Sequence, residues 1–368
     1  MNPASISGQP AGCLCFFGVG ALLEACFEQL VMAAGRPPDV LCDNSPDKWG
    51  QRFRGIPCVA PGDIPAAAED TLVVLCLRNY EAPLAQLRAL GYRHVRLACF
   101  DRGYHRLSAL RALDETLPDT PPPLSPRGRR ALVTGATRGI GRQIAQALAQ
   151  AGTHLICHGR TEAAAIQACR AVASYGIEAL PVAADLADAA ATDRLCRWLA
   201  DLAPPVDILY NNAGISPPCP EGFWKQDGRE FASCYAVNAI APIRICQTLI
   251  PGMRERGFGR IVNVSSSIQK RPDEMAYACS KAALDKFVHD LAPTLAGSGV
   301  MMSLLDPGWL RTDMGGANAP HAVDSVLPGA LLGAVVDGDV NGRWISAQDY
   351  RGLSLEAAIH KAFFIRAC

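Results

Sequence analysis

The sequence has no surplus of charge of either sign: 35 Lys and Arg are balanced by 35 Asp and Glu. Without a net positive field, nothing recruits nucleic acid or an anionic membrane except specific contacts, so neither partner is expected. The sequence also lacks any apolar stretch of the roughly 18 residues needed to span a bilayer. The longest, 13–26, is interrupted by Glu24, and no Lys or Arg precedes it as in a secretory leader. A cytoplasmic protein is expected. The third absence concerns cysteine spacing. The 15 cysteines include no CxxC pair and no Cys/His spacing suited to zinc, so no metal site is expected. Cys13 and Cys15 alternate within an apolar run that reads as a strand, which favours buried thiols and a reducing compartment.

What is present is a chain of 368 residues, 49% apolar, long enough for two domains with full cores. Pro118, Pro121, Pro122, Pro123 and Pro126 fix backbone φ and remove amide donors, so neither helix nor strand continues through them. They divide the chain into a domain over 1–117, a linker over 118–127 and a domain over 128–368. On both sides, short apolar runs alternate with amphipathic helical stretches, the pattern of parallel strands joined by crossover helices. Strands are predicted at 14–18, 40–42, 71–76 and 94–98, then at 131–134, 154–157, 179–183, 208–210, 260–264, 300–305 and 343–346. The fold class is α/β, with two Rossmann-like, doubly wound parallel-sheet domains in tandem.

The run Thr134-Gly135-Ala136-Thr137-Arg138-Gly139-Ile140-Gly141 follows a predicted strand and opens a helix. Its glycines let the backbone turn tightly and approach a pyrophosphate seated on the helix amides. Further on come Asn211-Asn212-Ala213-Gly214 at a strand end, Asn238 in a helical stretch, Ser266 after the strand 260–264, and Tyr277 with Lys281 one helical turn apart. Tyrosine, with an ordinary pKa near 10, is a poor proton shuttle at neutral pH, and a lysine at i+4 places a positive charge where it favours the phenolate. Tyr277 is therefore the candidate acid/base. One of the three adjacent serines, Ser265, Ser266 or Ser267, is suited to orienting a substrate oxygen.

In this order the motifs resemble the short-chain dehydrogenase/reductase family over residues 128 to about 350, ending with the turn Asp306-Pro307-Gly308. The resemblance implies a Rossmann-type unit that holds cofactor and substrate together and assembles as a homodimer or homotetramer. It assigns catalysis to Asn238, Ser266, Tyr277 and Lys281, with Ser266 implied over its two neighbours by where the family's serine falls after the strand, and Asn238 holding a water that links Lys281 to solvent. It assigns cofactor binding to Gly135, Thr137, Arg138, Gly139, Ile140, Gly141, Asn212, Ala213, Gly214, Tyr277, Lys281, Pro307 and Gly308, with Asp185 near the adenine and Thr312 at the nicotinamide amide. NAD-preferring relatives carry an acid where this chain has Gly159, followed here by Arg160. With Arg138 in the glycine loop, two arginines are placed to bind a 2′-phosphate, so NADP(H) is the expected cofactor. Trp309 is a candidate wall of the substrate pocket.

The implied activity is hydride transfer between nicotinamide and a carbonyl or secondary alcohol of a small molecule, a sugar or nucleotide-sugar derivative among the candidates. The rival is a non-catalytic NADP(H)-sensing or scaffold protein whose N-terminal domain binds a partner. That domain has its own glycine turn, Gly18-Val19-Gly20, with Asp43 at the spacing of a ribose-binding acid. It resembles small Rossmann-like modules of polysaccharide and nucleotide-sugar enzymes, which leaves nucleotide binding and assembly both open.

Overall fold

The computed structural model describes residues 12–100, 107–113, 123–217, 223–268, 271–336 and 340–366. Part of the proline-rich linker, 118–122, lies outside them. The chain divides into two compact units, Met1–Thr120 with Ala362–Cys368, and Pro121–Lys361.

The first unit runs β1 (Cys13–Phe17), α1 (Ala21–Ala34), β2 (Val40–Cys42), β3 (Arg52–Phe53), β4 (Ile56–Val59), β5 (Thr71–Leu75), α2 (Glu81–Ala89), β6 (His94–Phe100) and β7 (Leu107–Ala112). Its sheet has the order β3-β4-β2-β1-β5-β6-β7. Successive strand residues point to opposite faces, and both faces of β1 are buried. Leu14 and Phe16 pack with Leu23, Phe27 and Leu30 of α1, whereas Cys15 and Phe17 join Leu87, Val95 and Leu97 on the other side. Each fully buried Leu or Phe is worth about 1.5–3 kcal/mol, which makes α1 and β1 mutually dependent. The sequence missed β3, β4 and β7. The first is two residues long and pairs antiparallel with β4, and β7 turns back antiparallel on β6, so the sheet is parallel only in its middle.

The second unit runs β8 (Arg130–Val133), α3 (Gly139–Gln150), β9 (His154–Gly159), α4 (Glu162–Arg170), β10 (Ala179–Ala183), α5 (Ala189–Ala200), β11 (Ile208–Asn211), α6 (Gly228–Tyr235), α7 (Ala241–Glu255), β12 (Gly259–Val264), α8 (Met275–Leu291), β13 (Val300–Asp306), α9 (Leu332–Val335) and β14 (Trp344–Ser346), followed by the first half of α10 (Leu355–Arg366), whose residues from Ala362 belong to the first unit. All seven strands are parallel, in the order β10-β9-β8-β11-β12-β13-β14. Every residue of β8, β11 and β12 is buried, as strands covered on both faces require, the polar Arg130, Asn211, Arg260 and Asn263 included.

Twelve described cysteines are free thiols, but Cys99 is disulfide-bonded. Cys13 and Cys15 are among the free thiols, as their alternation in a strand predicts, with Cys15 buried and Cys13 half-buried. Among the described residues, no helix is long and apolar enough to cross a membrane.

Candidate active site

The strand order reverses between β8 and β11, and the loops beyond the strand ends there open into a cleft of about 1260 Å³. Gly135, Thr137, Arg138, Gly139 and Ile140 line it together with Arg160, Asp185, Asn212, Ala213, Gly214, Ser266, Tyr277, Lys281, Pro307, Gly308 and Thr312. Two sequence candidates, Gly141 and Asn238, stand behind this wall and support it.

The three adjacent serines after β12 have different surroundings. Ser265 is buried and donates to Asp285 Oδ1 at 2.5 Å, Ser267 is exposed, and Ser266 is half-buried in the cleft, its hydroxyl accepting the Ile268 amide at 3.3 Å and close enough to Tyr277 to pull that phenol's pKa down. Tyr277 and Lys281 lie one turn apart on α8, with the Lys281 Nζ 5.8 Å from the phenol ring centroid and donating to Val264 O at 2.7 Å. Burial pushes the Tyr277 phenol up to about 12 against the opposing pull of Ser266, and Asp306, Glu274 and Asp285 add to the rise. Burial also brings the Lys281 ammonium down to about 8, opposed by Asp285. Desolvation is the largest influence on the Tyr277 phenol and favours its protonated form.

Asn238 sits in a π-helical turn, Ala236–Ile240, that joins α6 to α7. Its side-chain oxygen accepts the Ile215 N–H at 2.9 Å, and its amide donates to Ile215 O and Ser280 Oγ, each at 2.9 Å. The side chain thereby clamps the loop after β11 to α8. Both amide hydrogens have partners, and the side-chain oxygen, with one acceptor position beyond the Ile215 N–H, is the atom of this side chain that can take a further donor.

The loop from β8 to α3 leaves backbone bare where a dinucleotide needs it. A Cβ on Gly141 would come 2.2 Å from Gly135 O and 2.4 Å from Asn212 Nδ2, so only glycine fits. Asn212 Nδ2 donates to Thr134 O at 2.8 Å and Gly135 O at 3.2 Å, while Thr134 Oγ1 accepts the amides of Asn212 and Ala213 at 2.9 and 3.0 Å. Thr134 was part of the motif but not of the expected site. His158, whose imidazole meets the Gly135 amide at 3.1 Å, was missed altogether; its only sequence signal is a histidine in an apolar strand beside Gly159.

The two arginines differ in their surroundings. Arg138 forms a 3.0 Å ion pair with Asp313 across the mouth of the cleft, both side chains more than two-thirds exposed, whereas Arg160 is exposed with no ion-pair partner among the described residues. A Cβ on Gly159 would lie 2.9 Å from Ala165 N and 3.0 Å from Thr137 Cγ2. No acidic residue is accommodated there without moving α4. Asp185 is exposed at the rim and accepts the Ala187 amide at 3.0 Å.

The turn after β13 is held from outside the expected residues. Gln348 donates to Pro307 O at 2.9 Å, and the Asp306 carboxylate accepts the Gly308 amide at 3.0 Å. Thr312 accepts the Gly315 amide at 3.1 Å and its methyl group faces Gly139. Trp309 lines the cleft, with its indole N–H on Gly315 O at 2.8 Å.

In the first unit, Asp43 does not present a free carboxylate. Its Oδ2 accepts the Val19 amide at 2.7 Å and Lys48 Nζ at 3.0 Å, and its Oδ1 accepts the Ser45 amide at 2.9 Å. Lys48 also donates to Val19 O at 2.6 Å, so this acid staples the glycine turn. The spacing that marked Asp43 as a ribose acceptor is met, but three hydrogen bonds from within the fold already engage both of its carboxylate oxygens.

Residues 129–322 match the short chain dehydrogenase family. Among curated relatives, a human L-xylulose reductase is 34% identical over 237 residues, covering 62% of this chain and 92% of that protein. A ketoacyl reductase, HetN, from Nostoc is 33% identical over 215 residues, covering 57% and 74%. Among solved structures, a 3-oxoacyl (acyl-carrier-protein) reductase from Agrobacterium tumefaciens with NADP bound superposes with a TM-score of 0.54 at 29% identity, covering 60% of this chain and 93% of that one.

Proposed function

Since this chain belongs to the short-chain dehydrogenase family of oxidoreductases, we propose that its second unit is an NADP(H)-dependent reductase of small carbonyl compounds, with Tyr277 as the proton donor. The observation that carries this reading is the meeting of the Ser266 hydroxyl, the Tyr277 phenol and the buried Lys281 in one cleft. When bound, the nicotinamide supplies the hydride that reaches the carbonyl carbon. Ser266 donates to the carbonyl oxygen and orients it, and Tyr277 passes its phenolic proton to that oxygen as charge develops there. Lys281 stabilises the phenolate left behind. A phenol that burial keeps protonated suits reduction better than oxidation, which would need the phenolate to accept a proton.

Gly135, Thr137, Gly139 and Ile140 would hold the pyrophosphate at the start of α3, with Gly141 permitting the close approach. Asn212, Ala213 and Gly214 would line the ribose side, Asp185 the adenine, and Pro307, Gly308 and Thr312 the nicotinamide. Arg160, the exposed arginine without an ion-pair partner among the described residues, would meet a 2′-phosphate, with Arg138 joining it at the cost of its bond to Asp313. The NADP-bound relative supports this choice. The working form would be a homo-oligomer, and the first unit would serve assembly or docking, since Asp43 is already committed within the fold.

NADPH oxidation with a panel of ketones and ketosugars tests the reading. Turnover lost in Tyr277→Phe supports it; tight NADPH binding with no turnover on any carbonyl would favour the cofactor-sensing alternative.

A further inference from the structure

His158 ends β9 next to Gly159 and is buried, at 3% exposure, behind the glycine loop. Its Nδ1 accepts the Gly135 amide at 3.1 Å, and its Nε2 lies 3.0 Å from Ala184 O. Since an amide can only donate and a carbonyl can only accept, the ring must be neutral with its proton on Nε2. Its own carbonyl oxygen also accepts the Ala136 amide at 3.0 Å. One residue thus consumes two successive amides of the loop and ties them to the end of β10. The amides at the start of α3 are left as those that can turn to an anion.

We infer that His158 is the positioning residue of the dinucleotide loop, a neutral imidazole that fixes Gly135 and Ala136 so that the α3 amides meet the pyrophosphate. The inference deepens the NADP(H) reading and rests on it. A second proton would put an Nδ1–H against the Gly135 N–H, donor to donor, and the loop would have to shift. Burial, the largest influence, disfavours that charged form, while the Ala184 carbonyl and then Asp185, both on the loop after β10, favour it. Arg138 of the glycine loop and Arg160 of the loop after β9 line the same cleft as His158. Protonation is therefore confined to the acid side of the ordinary histidine range, and NADPH affinity should fall there.

The test uses the full chain, following NADPH affinity by fluorescence and KM and kcat by turnover, from about pH 5 to 8. NADH is the control ligand, because the 2′-phosphate of NADPH itself titrates near about pH 6. His158→Leu should raise the KM for NADPH by about tenfold or more while changing kcat less than about threefold, the split expected of lost binding without lost chemistry. Asn places an acceptor oxygen where Nδ1 stands, so His158→Asn should stay within about threefold of wild type and lose the acid-side fall for NADH. Gln extends its amide towards Ala184 and leaves Gly135 unmet, so it should behave as Leu does. The inference is overturned if the Asn and Leu variants share one KM, or if the acid-side loss for NADH is the same in wild type and Asn. Should the Leu variant not fold, Asn and Gln decide it between them, since one shared KM for NADPH in those two variants refutes it. Failure of wild-type protein to bind NADPH at any pH refutes the dinucleotide reading instead.

Discussion

Lys281 is buried, with its Nζ 5.8 Å from the Tyr277 ring centroid and hydrogen-bonded to Val264 O at the end of β12. The helix supplies the spacing and the neighbouring strand supplies the anchor. Removing the phenolic oxygen takes away the proton without disturbing that anchor. Tyr277→Phe should lower kcat by at least about a hundredfold, or about 2.7 kcal/mol of barrier, with NADPH affinity within a few-fold. Steady-state kinetics and direct cofactor titration check both halves, and activity above about a tenth of wild type would remove Tyr277 from its role.

The titration of Lys281 gives a pH signature. Its ammonium, brought down to about 8 by burial, is present below that pH and lost above it, so kcat for reduction should decline as pH rises through about 8. Stability responds with the opposite sign. Between about 8 and the ordinary lysine value of 10.5, the unfolded chain binds a proton that the folded chain does not, so this group favours folding increasingly as pH rises. Lys281→Met should abolish the kinetic limb and flatten that part of the stability profile, read by urea unfolding across the same range.

The adjacent serines should separate cleanly. Ser266→Ala removes the hydroxyl that meets Tyr277 and should cost kcat about a hundredfold. Ser265→Ala removes the bond to Asp285, the carboxylate that opposes the fall in the Lys281 pKa. Its effect should appear as a shift of the alkaline limb, with a much smaller loss of kcat at neutral pH. A Ser265→Ala variant as inactive as Ser266→Ala would reverse the assignment.

Much of this arrangement was legible in the sequence because it depends on local spacing. A tyrosine and a lysine four apart share a helix face wherever the helix goes, and a glycine run between a strand and a helix marks a turn. The short strands β3 and β4 and the antiparallel β7 were not legible, since two to six residues without strong alternation resemble loop. His158 and Gln348 were missed because their partners are backbone atoms brought from distant segments, a relation that no spacing rule encodes. Asp43 shows the converse: correct spacing, with the carboxylate turned to hold its own loop.

Cofactor choice is best tested at position 160. Arg160→Ala should weaken NADPH by about tenfold or more, the cost of a charge-assisted bond, and leave NADH within about twofold. The apparent companion change, an acid at position 159, does not serve as a simple swap, because a Cβ there meets Ala165 N at 2.9 Å. Gly159→Asp should weaken both dinucleotides and lower the melting temperature as α4 is displaced. Equal affinity of the wild type for NADPH and NADH would remove the basis of the assignment.

The boundary of the catalytic unit sets the last prediction. A fragment beginning at Gly128 omits backbone that the second unit uses: the Leu124 amide donates to Val335 O at 2.8 Å, and Pro126 O accepts the Thr153 hydroxyl at 3.1 Å. Each bond is worth about 1 kcal/mol, and Arg127 also packs over Gly152. A fragment beginning at Pro121 should therefore melt several degrees above one beginning at Gly128, and both should reduce a small ketone with NADPH, since Ser266, Tyr277 and Lys281 all lie beyond that boundary. Thermal unfolding and turnover measured side by side on the two fragments and the full chain decide it. Equal melting temperatures would show that 121–127 contributes nothing, and a folded but inactive Pro121 fragment would mean that the first unit contributes to catalysis.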